Sequence, residues 1–161
     1  MDQFHSPKPM SASRIQLAQI MMPEHANTQG NVHGGWIMKL VDEAGGLAST
    51  RHAGHRTVTV AIDQMFFHHP IHIGDLVLLN AEVTYTGRTS MEVEVKVTAE
   101  NPISGEKIFT NAAYLVYVAI DNKDKPTQVP PLVAESPEEQ ARMDAAAARQ
   151  HRRLAQNSNR I

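Results

Sequence analysis

Apolar residues recur at every third or fourth position between residues 35 and 52, a spacing that predicts an amphipathic helix. The positions that form this apolar stripe are Trp36, Ile37, Leu40, Val41, Ala44, Leu47 and Ala48. Gly54 stands where a residue in the left-handed conformation would end the helix. Gly45 and Gly46 lie inside it, where each glycine costs about 1 kcal/mol relative to alanine. We therefore expect another backbone to approach the helix closely at these two positions.

A second face of this predicted helix carries small residues and one acid. Gly35, Asp42, Gly46 and Ser49 cluster there on a helical wheel, away from the apolar stripe. Such a face suits tight packing against another chain or element, with the Asp42 carboxylate held at the contact.

Apolar and polar side chains alternate along five further segments, which predicts β-strands. The predicted strands cover residues 15–21, 57–68, 76–86, 90–101 and 107–120. In the strand at 90–101 the valines point to one face, whereas Glu92 and Glu94 point to the opposite, polar face. The connections between the last four strands are too short for parallel crossovers, so neighbouring strands should be antiparallel. The chain is therefore predicted to be an α+β domain whose antiparallel sheet wraps around a long central helix.

The two ends of the chain are predicted to lie outside this domain, which covers residues 13–121. Residues 1–12 are expected to form a loose leader. Residues 122–161 begin as a proline-rich linker and continue from Ser136 as a capped C-terminal helix that ends near residue 154. Its last turns carry the cations Arg149, His151, Arg152, Arg153 and Arg160. They are expected to be solvated at the helix end, and the alternative is a basic lip that helps to hold an anionic ligand.

The composition limits the chemistry that the chain can perform. Its 161 residues include 15 Lys and Arg against 17 Asp and Glu, a net charge of −2, whereas nucleic-acid binding needs a basic excess. The absence of cysteine excludes a disulfide framework, a thiolate zinc site and a cysteine nucleophile. The longest apolar run, residues 112–120, is well short of the ~20 residues that span a bilayer, and the first residues lack a signal-peptide core. We expect a cytoplasmic protein without a membrane span, whose chemistry uses carboxylate, amide, hydroxyl or imidazole groups.

A polar loop over residues 27–36 runs directly into the predicted helix and is the richest candidate site. Backbone N–H groups at a helix N-terminus can stabilise a developing negative charge, and Gly34 and Gly35 would let a ligand approach them closely. Asp42, about two turns along, could act as a general base on water or as a nucleophile. Asn27 could orient a water or donate to an oxyanion. The alternative is structural: the glycines form a tight entry turn and Asp42 pairs with a surface cation.

Two further motifs are weaker candidates. His68, His69 and His72 suggest a metal site, but adjacent strand residues point to opposite faces, so a strand-end or subunit contact is favoured and no metal is expected. The turn Gly87-Arg88-Thr89-Ser90 could bind phosphate through its guanidinium, hydroxyl and amide groups. An ordinary hairpin turn is the simpler interpretation of that motif.

Longer stretches of the sequence carry a connected set of motifs. They are Asn31-Val32-His33-Gly34-Gly35-Trp36, Val41-Asp42-Glu43-Ala44-Gly45-Gly46, Pro70-Ile71-His72-Ile73-Gly74-Asp75, Tyr85-Thr86-Gly87-Arg88-Thr89-Ser90, Asn101-Pro102-Ile103-Ser104-Gly105 and Val129-Pro130-Pro131-Leu132. Together they resemble the hot-dog-fold acyl-CoA thioesterases, in particular the cytosolic or brain-type acyl-CoA hydrolases, over nearly all of residues 14–133. The resemblance implies a single hot-dog domain that hydrolyses acyl-CoA to free fatty acid and coenzyme A without a cofactor.

The same resemblance implies roles for individual residues. Asn27 and Asp42 would be the catalytic pair, contributed by facing subunits, with Asp42 acting as base or nucleophile. The Gly35 amide would polarise the thioester carbonyl, and Gly34 and His33 would contact the substrate, although His33 is equally suited to shaping the loop. The remaining residues implied in binding coenzyme A are Gly87, Arg88, Thr89 and Ser90. Some relatives carry two hot-dog units in tandem, so this single unit would form a homodimer, usually assembled as a trimer of dimers.

Two other functions stay open on the sequence alone. An acyl-thioester hydratase or dehydratase would share the fold and would use a His–acid pair, which would make His33 essential. A non-catalytic acyl-CoA or nucleotide-binding regulator would bind coenzyme A but release no free thiol.

Overall fold

The computed structural model describes residues 6–63 and 65–158. Its elements, in chain order, are β1 (Lys8–Pro9), β2 (Ile15–Ile20), α1 (Gly34–Ala53), β3 (Arg56–Ile62), β4 (Leu76–Thr86), β5 (Ser90–Glu100), β6 (Lys107–Ile120), β7 (Leu132–Val133) and α2 (Pro137–Ser158). Five strands form one sheet in the order β2-β4-β5-β6-β3, and each neighbouring pair is antiparallel. The predicted α+β architecture, with a long helix against an antiparallel sheet and a C-terminal helix, is confirmed.

Helix α1 lies along the concave face of the sheet because its apolar stripe is buried there. The buried residues of the stripe are Ile37, Leu40, Val41, Ala44 and Ala48. They share one core with inward-facing residues of the sheet such as Val95 and Leu115. Two residues of the predicted stripe differ: Leu47 is 49% exposed and Trp36 is only partly buried. Gly54 ends the helix with a φ of +68°, the left-handed conformation that the sequence predicted.

A tyrosine side chain, rather than a backbone, occupies the space beside Gly45. A Cβ at this position would lie 3.0 Å from Cζ of Tyr117 and closer still to the phenol oxygen, whereas Gly46 faces open space in the chain. At Gly45 the expected backbone is replaced by this ring, whereas the approach of another backbone to Gly46 stays a prediction. Ser49, expected to face another chain or element, is buried against β3, with its Oγ 2.8 Å from Oγ1 of Thr57.

Strand β3 ends at Ile62, well before the predicted end at His68. Beyond it, the Asp63 N–H donates to the Tyr114 carbonyl at 2.9 Å and the His68 N–H to the Thr110 carbonyl at 3.2 Å. Neither Asp63 nor His68 is part of a strand, so the predicted end of β3 at His68 is wrong.

The segment predicted to be a loose leader is packed on the domain from residue 8 onward. Strand β1 pairs in parallel with β7, and Met10 is fully buried. The proline-rich segment is held as well, because Val129 is buried and donates its N–H to the Arg88 carbonyl at 3.0 Å. Residues 1–5 of the leader lie outside the described residues, and the domain boundaries stay a prediction.

Helix α2 covers the outer face of the sheet through ion pairs. Glu92 on β5 is 1% exposed and accepts hydrogen bonds from Arg149 at 2.7, 3.1 and 3.2 Å, and a further one from Arg153. Glu94, two residues along the strand, is buried and pairs with Arg142. The polar face of β5 is therefore a second packed layer rather than a solvated surface.

Two cations near the end of α2, Arg149 and Arg153, are not solvated as expected. Glu92 neutralises both, so they do not form a basic lip for an anionic ligand either. Arg152, between them, is exposed as expected. Arg160 lies outside the described residues.

Replacing Arg149 by methionine should lower the free energy of unfolding by about 2–3 kcal/mol, because a charge-assisted hydrogen bond to a buried carboxylate is lost while Arg153 still neutralises Glu92. The matched control is Arg152→Met on the same helix, which should change stability by less than about 0.5 kcal/mol. Urea unfolding of the two variants measures the difference. Equal stability of both variants would contradict the role given to the buried ion pair.

His52, near the end of α1, is completely buried as a neutral side chain. Its Nε2–H donates to the Pro130 carbonyl at 2.9 Å, and Nδ1 has no hydrogen-bond partner among the described residues. Burial lowers the pKa of the imidazole below its ordinary value of 6.5. Protonation would place a charge on a nitrogen that nothing solvates, at the point where the chain after β6 returns to α1.

The fold should therefore lose stability as the pH falls below the ordinary histidine pKa, because the unfolded chain binds a proton that the folded chain refuses. The loss due to His52 should reach up to about 1.4 kcal/mol per pH unit. His52→Gln keeps an N–H donor for Pro130 and cannot titrate. Thermal unfolding between about pH 7.5 and about pH 5.5 should thus be less pH-dependent in this variant than in the parent. Identical pH dependence in the two proteins would refute the assignment.

Candidate active site

The loop before α1 is closed by the side chain of Asn27. Its Oδ1 accepts the N–H of Gln29 at 2.9 Å and of Asn31 at 3.2 Å, and the Asn27 N–H donates to the Asn31 carbonyl at 2.7 Å. Gly30, at the tip of the loop, has a φ of +85°, which favours glycine. Within the described residues, Nδ2 of Asn27 has no hydrogen-bond partner. This nitrogen is the atom that can donate to a water or a substrate.

Asn27 and Gly34 line the same cavity, which has a volume of about 320 Å³. Its other lining residues are Asn31, Val32, Ile37, Phe67, His68, His69, Pro70 and Ile71. The expectation that His68 and His69 point to opposite faces is wrong, because this segment is not a strand and both residues line the cavity. The cavity thus joins the Asn27 loop, the first turns of α1 and the segment after β3.

The Gly35 amide is engaged in capping α1. Its N–H donates to Nδ1 of His33 at 2.9 Å, and His33 is the N-cap residue of the helix. The His33 side chain is exposed and is not among the residues that line the cavity, whereas Gly34 is. His33 therefore shapes the helix start, and the Gly35 N–H can reach a substrate only when the imidazole turns away from it.

Asp42 is a half-buried carboxylate that two hydroxyl groups hold by the same oxygen. Thr59 Oγ1 donates to Oδ1 at 2.7 Å, and the Tyr117 phenol donates to Oδ1 at 2.9 Å. The phenol oxygen also lies 3.1 Å from the Asp42 carbonyl oxygen. Burial and the charge of Asp42 raise the pKa of Tyr117 well above its usual range, so the phenol stays protonated and acts as a donor. In the described part of the chain Asp42 has no ion pair with a surface cation, so the structural alternative considered for it is not supported.

Sequence reasoning missed Thr59 and Tyr117, which the fold places side by side. The two residues are direct partners in the β3–β6 ladder, and both contact Asp42 on α1. The only signals for them were a polar residue at an alternate position of β3 and a phenol within the apolar run of β6. Neither signal points to a carboxylate that is far away in the sequence.

The predicted catalytic pair is not brought together within one chain. Gly34, which shares the cavity with Asn27, and Asp42 are separated by about 12 Å along the axis of α1. No hydrogen bond among the described residues connects Asn27 with Asp42, and Asp42 is not among the residues that line the cavity.

The turn that joins β4 to β5 is an ordinary hairpin turn in this structure. The Gly87 N–H donates to the Ser90 carbonyl at 2.8 Å, and the Thr89 carbonyl accepts the Ala119 N–H at 2.9 Å. The Arg88 side chain is exposed. The predicted binding of coenzyme A by Gly87, Arg88, Thr89 and Ser90 stays a prediction, and it would depend mainly on that exposed guanidinium.

The described residues form neither a metal site nor a membrane-spanning helix. No group of three His, Cys, Asp or Glu side chains in the described part of the chain could hold a metal ion. Neither of the two described α-helices has the length and apolar character needed to cross a membrane.

Comparison with known proteins decides the family. Residues 29–106 match the family described as the thioesterase superfamily. A Zymomonas mobilis protein named as an uncharacterized acyl-CoA thioester hydrolase is 42% identical over 113 residues, which cover 70% of this chain and 76% of that protein. The chain belongs to the thioesterase superfamily. The family expected from the motifs is thereby confirmed.

Mammalian members of the superfamily are much longer than this chain. The cytosolic acyl coenzyme A thioester hydrolase of Mus musculus is 42% identical over 127 residues, which cover 74% of this chain but 33% of that protein. The chain thus spans about a third of the length of the mammalian relatives that it matches.

Solved structures of the superfamily superpose along almost the whole chain, which confirms the hot-dog fold. The Staphylococcus aureus acyl-CoA hydrolase, in complex with butyryl coenzyme A, coenzyme A and coenzyme A disulfide, has a TM-score of 0.87 at 32% identity, covering 94% of this chain and 93% of that one. Other structures of that hydrolase carry alanine in place of an aspartate, an asparagine or a threonine. An apo hexameric acyl-CoA thioesterase has a TM-score of 0.91 at 34% identity, covering 96% and 99% of the two chains.

Proposed function

We propose that this thioesterase-superfamily chain hydrolyses fatty acyl-CoA to free fatty acid and coenzyme A, without a metal or cofactor. The observation that carries the proposal is the state of Asp42. Two hydroxyls hold its Oδ1, while Oδ2 has no hydrogen-bond partner in the described residues. An oriented carboxylate with one free oxygen is suited to activate water. The relatives named acyl-CoA thioester hydrolases support the substrate class.

In the proposed reaction, water attacks the carbonyl carbon of the thioester. Oδ2 of Asp42 takes a proton from the water as the new C–O bond forms, and Nδ2 of Asn27 orients that water. The negative charge that develops on the carbonyl oxygen is stabilised by the N-terminus of α1, at Gly34 and Gly35. The C–S bond then breaks, and the proton passes from Asp42 to the departing thiolate. Direct attack by Asp42 on the carbonyl is the alternative first step at the same carboxylate.

A complete site in this proposal needs two copies of the chain. Within the described chain Asn27 and Asp42 share neither a hydrogen bond nor a cavity, so in this proposal Asn27 of one protomer works with Asp42 of its partner. The hexameric state in the name of the structural relative supports a trimer of such dimers.

The edge of the sheet formed by β3 supplies a surface for that partner. This strand exposes three apolar side chains, Val58 at 42%, Val60 at 55% and Ile62 at 41%. Among the described residues, β3 pairs with a strand on one side only. Large apolar side chains are exposed on neighbouring elements as well, at Met38, Leu47, Phe66 and Phe67. An unpaired strand edge bordered by apolar residues favours pairing with a second copy.

The variants of the Staphylococcus aureus hydrolase support the choice of residues. The three residue types replaced by alanine in that protein are those of Asn27, Asp42 and Thr59, and the spacing between the three positions is the same in the two chains. Thr59 therefore joins the proposed site as the hydroxyl that holds Asp42.

The proposal includes the contacts with coenzyme A. Arg88, exposed beside Gly87, Thr89 and Ser90, would bind the nucleotide phosphates, and Gly34 with His33 would border the path to the carbonyl. A local cation is sufficient for a small anionic ligand, although the chain as a whole has a net charge of −2. We infer a cytoplasmic location, which agrees with the cytosolic designation of the mammalian relatives.

Asp42→Asn should lower the rate of thiol release from palmitoyl-CoA by about 100- to 10,000-fold, because the amide cannot take a proton from water. Gel filtration should show an unchanged assembly. The matched control is Glu43→Gln, which alters an exposed acid at the next position and should keep parental activity. Parental turnover by the Asp42→Asn variant would refute the mechanism, and thiol release abolished by His33→Ala alone would favour His–acid chemistry.

Mixing two inactive variants tests whether the site is shared between subunits. Asn27→Ala and Asp42→Asn proteins, unfolded and refolded together in equal amounts, should regain about a quarter of the parental activity, since half of the dimers are mixed and one of their two sites is intact. Each variant refolded alone is the control. Mixed dimers, verified by mass spectrometry, that stay inactive would place both residues in the same chain's site.

A further inference from the structure

The geometry points to Tyr117 as a positioning residue: admitted by Gly45, its phenol holds Oδ1 of Asp42 and leaves Oδ2 as the oxygen that receives the proton of the attacking water. The inference rests on the proposed function and extends it to a residue that touches neither substrate nor water. It gives a chemical reason for a phenol in the core and for a glycine in the middle of α1.

The phenol holds Asp42 at two points. Its oxygen lies 2.9 Å from Oδ1 and 3.1 Å from the main-chain carbonyl oxygen of the same residue. Thr59 donates to Oδ1 from the neighbouring strand at 2.7 Å. Two donors on one oxygen fix the side-chain torsion of Asp42, so that Oδ2 keeps a single direction relative to α1.

Packing alone does not require the hydroxyl of Tyr117. The residue is 1% exposed, and the inward-facing positions nearest to it on β6, Leu115 and Ala119, are buried and apolar. Phenylalanine would fill the same space, whereas a buried hydroxyl costs free energy unless it is hydrogen-bonded. Asp42 supplies its hydrogen-bond acceptors, so the phenol is stable at this place because of the carboxylate.

Gly45 makes the contact possible. A side chain there would collide with the phenol ring, since its Cβ would lie 3.0 Å from Cζ of Tyr117. Gly45 follows Asp42 by less than one turn of α1. Glycine lowers the stability of the helix, but its missing side chain leaves room for the phenol beside the carboxylate.

Loss of the phenol oxygen should leave the carboxylate less well oriented, because Thr59 would then be the one described donor to Oδ1. A merely structural tyrosine would change stability without changing kcat.

Tyr117→Phe is the direct test, with Tyr114→Phe as the matched control on the same strand. The Tyr114 phenol lies 3.5 Å from Glu94 on the outer face of the sheet. Thiol release from palmitoyl-CoA gives kcat and KM. Infrared difference spectroscopy, with Asp42→Asn to identify the carboxylate stretching band of Asp42, reports the hydrogen bonds of that carboxylate without any need for activity.

In Tyr117→Phe, kcat should fall about tenfold with KM unchanged, because one charge-assisted hydrogen bond is lost outside the substrate contacts. The carboxylate stretching band of Asp42 should shift, because one of the two described donors to Oδ1 is lost. Tyr114→Phe should match the parent in kcat, in KM and in the position of this band. Folded Gly45→Ala, in which the phenol is displaced but retained, should shift the band in the same direction.

A Tyr117→Phe variant with parental kcat and an unmoved carboxylate band would overturn the inference. So would equal changes in Tyr117→Phe and Tyr114→Phe, because the effect would then not be specific to Asp42. A parent protein that releases no thiol would defeat the proposed function. In that case the carboxylate band would still show whether the Tyr117 phenol holds Asp42.

Discussion

Helix α1 packs so closely on the concave face of the sheet that residues of both elements form one hydrogen-bonded unit. Small residues on the helix, Ala44, Gly45 and Ala48, permit this distance. At this contact the buried Tyr117 and the exposed Thr59, on paired strands, both donate to Asp42. A polar group in such a contact must find hydrogen-bond partners, so the packing that buries the helix also orients its carboxylate. Fold and candidate site are therefore produced by the same contact.

On the outer face of the sheet, ion pairs hold α2 in place. Glu92 is buried beneath α2, and its charge is stable there because Arg149 and Arg153 surround it and Thr84 Oγ1 donates to it at 2.8 Å. An ion pair of this kind adds less net stability than apolar packing would, since both charges lose their hydration. It does define one register for the helix on the sheet, because a shifted helix would leave Glu92 without a partner. The concave face thus holds the domain together by burial, and the convex face selects how α2 lies on it.

Elements with a strong local signal could be predicted from the sequence. The apolar period and Gly54 gave α1 to within one residue at each end, and alternation gave the strands β4 to β6 closely. The end of β3 could not be predicted, because it depends on where pairing with β6 ends, and no glycine or proline between residues 63 and 69 marks that point. The pairing of Arg149 and Arg153 with Glu92 could not be predicted either. Glu92 would occupy the same alternate position on its strand whether that face of the sheet were buried or solvated.

The candidate site shows the same difference between local and long-range signals. A local pattern of loop residues, a helix start and an acid on a small-residue face indicates Asn27, Gly34 and Asp42 as candidates. Thr59 and Tyr117 could not, because their role depends on strand pairing that brings distant positions beside α1. For Gly35 and His33 the residues were identified, but the hydrogen bond between them emerges only from the cap geometry.

The open edge at β3 has a consequence for the life of the protein after synthesis. A newly folded protomer presents an open strand edge with three exposed apolar residues, which is also a template for uncontrolled β-association with other chains. Covering this edge with a second copy would remove the hazard at the same moment that it completes the proposed site. The fraction of paired protomers would then rise with protomer concentration, so an unpaired subunit would be both inactive and prone to aggregate.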